Sequence, residues 1–236
     1  MKAFLAHIAV LAFVLFGCVV PQAEVSPEGT LEVLSAASLV PGPKLPSDWV
    51  VDTEGDGVIG REAIDIENRV NGAILTLRTA RQRFVLARRT KATLLATPYM
   101  GWSWRMTAST GHESDIRIIV AFHGGKPESR SWGGEPLAYL GLTLPPFDRA
   151  IAILWGRSAL ERGSLSTSAA IPEYVARGGV EHEDTWWSDN LDLAALYRKA
   201  WPDDRIERAR IMFVGFAVAE GAGEARASFG DIVVYR

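Results

Sequence analysis

The sequence predicts an all-β protein, a jelly-roll-like antiparallel β-sandwich carrying one packed helix in its C-terminal half. Three observations predict it. Short runs of branched and aromatic residues recur along most of the chain. Several of these runs are apolar on both faces, as the central strands of a covered sheet must be. One stretch, near the C-terminal third, stands out for helical spacing.

The elements follow in chain order. A first strand is expected near 31–40, inside a Pro- and Ser-rich lead-in spanning 19–48. After the Asn71-Gly72 turn signal, "AILTLRT" alternates Ile74, Thr76 and Arg78 against Leu75 and Leu77. "RFVLARR" continues the pattern at 83–89. "GWSWRMTA" sets Trp102, Trp104 and Met106 on one face, with Ser103, Arg105 and Thr107 on the other. "DIRIIVAF" (115–122), "AIAILWG" (150–156), "RIMFVGFAV" (210–218) and "DIVVYR" (231–236) complete the strand set. Leu193, Leu196, Tyr197, Ala200 and Trp201 form a helical stripe, with Asp189 or Asn190 as its cap and Pro202 as its stop. That stripe reads as packing. Between His123 and Asp148 runs a long Gly- and Pro-rich connection holding Trp132, Tyr139 and Phe147; loops of this length are usually functional or disordered, and buried aromatic anchors would argue against disorder.

The N-terminus carries an address. After Lys2 comes "AFLAHIAVLAFVLFG", a signal-peptide-like apolar run that leads into Cys18, the only cysteine in the chain. Leu15-Phe16-Gly17-Cys18 reads as a bacterial lipobox, so Cys18 is the expected lipidation site and 1–17 the signal peptide. Residues 18–44 are then the tether and lead-in strand, and 45–236 the β-sandwich domain. Val19 in place of Asp points to the outer membrane, facing the periplasm.

A formal net charge of −3 leaves no basic stripe of the kind that nucleic acid requires. The densest basic cluster is Arg78, Arg81, Arg83, Arg88, Arg89 and Lys91, spaced as the solvent face of a strand or turn. Two motifs in "VDTEGDGVIGREAID" (51–65) fail on context. Gly55, Gly57 and Gly60 spell G-x-G-x-x-G, but no helix pattern opens after them. A calcium loop counted from Asp52 needs a bidentate acid at its twelfth position, where Ala63 stands. The stretch reads as a Gly-Asp turn joining two strands near the sandwich rim. No nucleotide, cofactor or metal is expected.

Taken in order, Leu45-Pro46-Ser47-Asp48-Trp49, Trp102-Ser103-Trp104-Arg105, Asp115 entering 116–122, Leu154-Trp155-Gly156, the helix after Trp187 and Gly230-Asp231-Ile232 resemble the DUF3047 family of bacterial secreted proteins. The resemblance spans about residues 45–236. It implies a jelly-roll sandwich similar to galactose-binding-like and carbohydrate-binding domains, and it brings no activity with it.

Chemistry is sparse in the sequence. His112-Glu113 with Asp115, His123, and "EHEDTWWSD" around His182 offer imidazoles and carboxylates. None has a catalytic or metal spacing, and adjacent residues on an extended chain diverge. Tryptophan is the remaining signal. Trp102, Trp104 and Trp155 lie within strands and read as core. Trp132, Tyr139, Trp186 and Trp187 fall in loop-like contexts and are the candidate ligand platform. The expected function is non-catalytic binding of a glycan or other envelope component. The alternatives are a carbohydrate-active hydrolase or lyase, and an assembly lipoprotein that contacts protein.

Overall fold

The computed structural model describes residues 20–35, 38, 45–53, 59, 61–69, 72–107, 115–127, 144–221 and 224–236. It is the expected all-β jelly-roll-like sandwich, with two sheets face to face. Sheet 1 contains β1 (Ala23–Glu24), β3 (Trp49–Thr53), β6 (Phe84–Thr93), β8 (Ile116–His123), β9 (Arg149–Gly156), β10 (Leu165–Ser166), β11 (Glu173–Gly178) and β13 (Arg210–Val218). Sheet 2 contains β2 (Thr30–Leu34), β4 (Ile64–Arg69), β5 (Gly72–Arg78), β7 (Tyr99–Thr107), β12 (Trp187–Asp192) and β14 (Arg226–Tyr235). From β5 to β8 the chain alternates between the sheets at every step, and it does so again from β12 to β14. Pairing is antiparallel except at β1 with β6 and β9 with β11.

The predicted strands form with differences at their ends, and β1, β10, β11 and β12 are strands that the sequence reading did not name. The first core strand is Thr30–Leu34, shorter than expected, and Leu31, Val33 and Leu34 are fully buried. Arg88 of β6 ties this strand across the sandwich edge, donating to the carbonyls of Glu32 and Val33 and to Asp48. The helix, α1 (Leu193–Ala200), starts later than Asp189 or Asn190 would allow. Those two residues belong to β12, and Asp192 caps α1 instead, its carboxylate accepting from the Ala195 amide at 2.7 Å. Leu193, Leu196 and Tyr197 of the stripe are buried as packing, as read.

Between the sheets lies one large core. Trp102, Trp104 and Trp155 meet edge to face, with centroids 5.8 and 5.2 Å apart, and all three are buried, as the sequence indicated. The outer face of sheet 1 is a second apolar layer. Val85, Ala87, Ile119, Ala121, Ala150, Ala152, Leu154 and Phe213 point away from the main core yet are buried, with Leu144 and Phe147 packed over them. The strands that looked apolar on both faces are therefore the central strands of the covered sheet.

β14 changes partner midway along its length. Residues 226–230 pair with β5, and residues 232–235 pair with β2. Asp231, at φ +50°, is the extra residue of a bulge at this point. The added residue shifts the phase by one, so that the core face passes from Ala227 and Phe229 to Ile232 and Val234.

The stretch 51–65 runs from β3 of one sheet to β4 of the other, with a short 3-10 turn at Arg61–Ala63 before β4. Residues 54–58 and 60 lie outside the described residues.

Candidate functional site

Sheet 2 has an outer face of a different kind. Alternation along β7 sends Met100, Trp102, Trp104 and Met106 into the core. Tyr99, Ser103, Arg105 and Thr107 are sent outward. On β5, Ile74, Thr76 and Arg78 face out; on β14, Arg226 and Ser228; on β12, Ser188 and Asn190. Register then builds polar rows across the strands. Arg78, Arg226 and Thr107 stand side by side in one row, and Thr76, Ser228 and Arg105 form the next. Ser103 and Ser188 stand opposite each other in the third. The hydroxyls of Thr76 and Ser228 are 2.9 Å apart, and those of Ser103 and Ser188 are 3.2 Å apart.

Trp186 and Trp187 part company here. Trp187 opens β12 opposite Trp104, so its side chain turns toward the sandwich edge. Its indole packs between the Arg177 guanidinium, 4.1 Å from the ring, and His182, and it donates to the His182 carbonyl at 3.0 Å. Trp186, one residue earlier, takes the opposite face. It is 36% exposed, a high value for tryptophan here, and the Arg105 guanidinium lies 5.4 Å from its ring. At the other end of β7, Tyr99 is exposed and rests on Tyr235, which donates to Asn190. The two aromatic ends are six residues apart along the strand, about 20 Å. Cys18, Trp132 and Tyr139 lie outside the described residues, as do His112 and Glu113.

The sequence offers Asp189 as a helix cap or as one of the carboxylates near His182. The structure buries it. Arg177 donates two bonds to it, at 3.0 and 2.8 Å; Arg162 donates one at 3.0 Å and the Trp104 indole one at 2.9 Å. A bulge in β11 places Arg177 opposite Trp155, whose side chain is in the core, and this directs Arg177 to Asp189. The available signal was period two: Trp187, Asp189 and Leu191 share one face of a strand. The basic cluster at 78–91 is also divided. Arg88 binds Asp48, Arg89 the Ser47 carbonyl and Lys91 Glu24, whereas Arg78 belongs to the outer face of sheet 2.

A second polar cluster closes one end of the sandwich. Asp204 accepts from Arg149 at 2.8 and 2.9 Å and from the Tyr197 hydroxyl at 2.7 Å. Burial pushes the Asp204 carboxyl up, but these donors outweigh it and hold it below the usual value. Burial, then the bond to Asp204, raises the Tyr197 phenol; the same carboxylate raises Arg149. A carboxylate held ionised in this way is a structural anchor and a poor proton donor. His123 Nδ1 lies 3.4 Å from Asp148 nearby. Among the described residues, no three His, Cys, Asp or Glu side chains are grouped to hold a metal ion.

No protein-family model matches the chain, and no curated protein matches it. Among solved structures it is similar to the family 11 carbohydrate-binding module of the cellulosomal cellulase Lic26A-Cel5E of Clostridium thermocellum, at 9% identity and a TM-score of 0.41, covering 89% of this chain and 96% of that one. It is also similar to the family GH12 endoglucanase 3 of Trichoderma harzianum, at 9% identity and a TM-score of 0.39, covering 93% and 96%. A family 12 xyloglucanase from Bacillus licheniformis aligns at 10% identity and a TM-score of 0.39, over 92% and 97%. Superpositions this loose say nothing of what this chain binds.

Proposed function

We propose that this is a lipid-anchored bacterial envelope protein of the DUF3047 kind, held through Cys18 at the outer membrane and facing the periplasm. In this reading the outer face of sheet 2 binds a glycan without catalysing a reaction. The observation that carries the reading is Trp186, an exposed indole standing beside a polar sheet face. A sugar ring needs an apolar surface for its C–H face and hydrogen-bonding groups at its rim. Trp186 offers the first; Arg105, Ser103, Ser188 and Thr107 offer the second within the adjoining rows. Trp187 contributes by fixing the edge of β12, its ring held against Arg177 and His182.

The test is glycan binding by the full chain and its Trp186→Ala variant. The variant is expected to bind at least tenfold more weakly with unchanged folding, and full retention of binding would refute the platform. Anchoring has its own readout. Cys18→Ser should abolish lipid labelling and membrane fractionation, and unchanged fractionation would refute it.

A further inference from the structure

We propose that the glycan taken by this face is anionic, with its carboxylate, sulfate or phosphate groups seated on the guanidinium groups of Arg78, Arg105 and Arg226. The proposal rests on the reading of sheet 2 as a glycan-binding face.

The three arginines come from three neighbouring strands. Arg226 of β14 is directly opposite Arg78 of β5, and Arg105 of β7 pairs with Ser228, one row along on the same face. Directly opposite side chains in an antiparallel pair stand about 5 Å apart at Cβ, and like charges there are destabilising. Elsewhere in the fold, arginines meet carboxylates: Arg88 with Asp48, Arg117 with Glu173, Arg149 with Asp204, Arg177 with Asp189. Among the described residues, Arg78, Arg105 and Arg226 form no ion pair. The Nε of each is shielded from solvent and has no hydrogen-bond partner. A shielded donor without an acceptor adds to the cost of placing these like charges side by side.

Among the described residues, the acids of neighbouring β4 form no ion pair with the trio. Asp65 of β4 stands opposite Thr76, exposed and without an ion pair to any of the three, and Glu67 is engaged by Arg69. A guanidinium fork matches a carboxylate, sulfate or phosphate in two-point geometry, and three forks on one face suit repeated oxyanions along a polymer. Trp186 flanks the trio through Arg105, so a sugar ring on the indole would carry its acidic substituent toward the arginines. Thr107 completes the row of Arg226 and Arg78, and Ser228, which is buried, and Thr76 complete the row of Arg105.

The experiment is affinity electrophoresis of the full chain in detergent through gels holding polygalacturonate, dextran sulfate or neutral dextran. Trp186→Ala, Arg226→Gln and Arg78→Gln run alongside. The expected result is binding to at least one anionic polymer tenfold or more above dextran, weakening as salt rises. Each Arg→Gln variant should lose at least tenfold, about 1.4 kcal/mol, while its melting temperature without polymer is unchanged or higher because a like-charge contact is relieved. An arginine with a merely structural role would lower that temperature. Dextran bound as tightly as the acidic polymers, or both Arg→Gln variants binding normally, would overturn the proposal. Dextran binding lost only in Trp186→Ala would overturn it too, but would leave the glycan reading standing. Binding to no polymer sinks both. Tighter binding to single-stranded DNA than to either acidic polymer would also overturn it. If one Arg→Gln variant does not fold, the other decides.

Discussion

The two outer faces of the sandwich obey the same alternation and come to opposite ends. On sheet 1, the outward positions of β6, β8, β9 and β13 are filled by small and apolar residues, and the face is buried with Leu144 and Phe147 over it. On sheet 2, the outward positions of β5, β7, β12 and β14 hold Arg, Ser, Thr, Asn and Tyr, with an exposed indole at the rim. A sheet face closed by its own chain contributes stability. A face left polar, with like charges opposite one another, contributes little. The contrast teaches where to look for the proposed binding surface: at the outward rows that the described residues leave unsatisfied.

Substitutions on the two faces should break that contrast in order of severity. Ala152→Asp would bury an unpaired carboxylate in the covered face, a cost of several kcal/mol against a total stability of roughly 5–15 kcal/mol. Loss of soluble folded protein is expected, while Ser188→Asp on the open face should stay within about 0.5 kcal/mol by denaturant unfolding. Phe213→Ala on the covered face should cost about 3–5 kcal/mol, because Phe147 would lose its edge-to-face partner over a cavity. Asp204→Asn should cost about 2–3 kcal/mol, since Arg149 loses its ionised partner but remains partly exposed. The same carboxyl sets an acid limit. Its folded pKa is lowered, so its contribution is whole above the unfolded value near 4 and is lost as pH falls from there through the folded value. Chemical denaturation between pH 2 and 7 should therefore show wild type losing stability that Asp204→Asn never had. The smallest stability effect is expected at Trp186→Ala, within about 0.5 kcal/mol, with binding weakened at least tenfold.

Much of the architecture was legible in period and composition. The alternation of β7, the core tryptophans and the doubly apolar centre of sheet 1 all follow from residue order. The cap of α1 was misplaced because Asp189, Asn190 and Asp192 are equally good capping residues locally, and the pairing of β12 with β7 decides among them. The candidate site was only half legible. Trp186 could be named, but its separation from Trp187 requires knowing that β12 begins at Trp187 and fixes the phase. The arginine trio was out of reach. Arg78 and Arg226 are brought together by a pairing of strands far apart in sequence, and neighbours in the chain such as Arg88 and Arg89 masked the one that matters.

Hydroxyl-radical footprinting of the full chain, with and without a saturating acidic glycan, tests the central claim most directly. The account predicts that Trp186 and Tyr99 lose reactivity on binding, while Trp187, already packed between Arg177 and His182, is unchanged. Saturation of the ligand with Trp186 as reactive as before would contradict it.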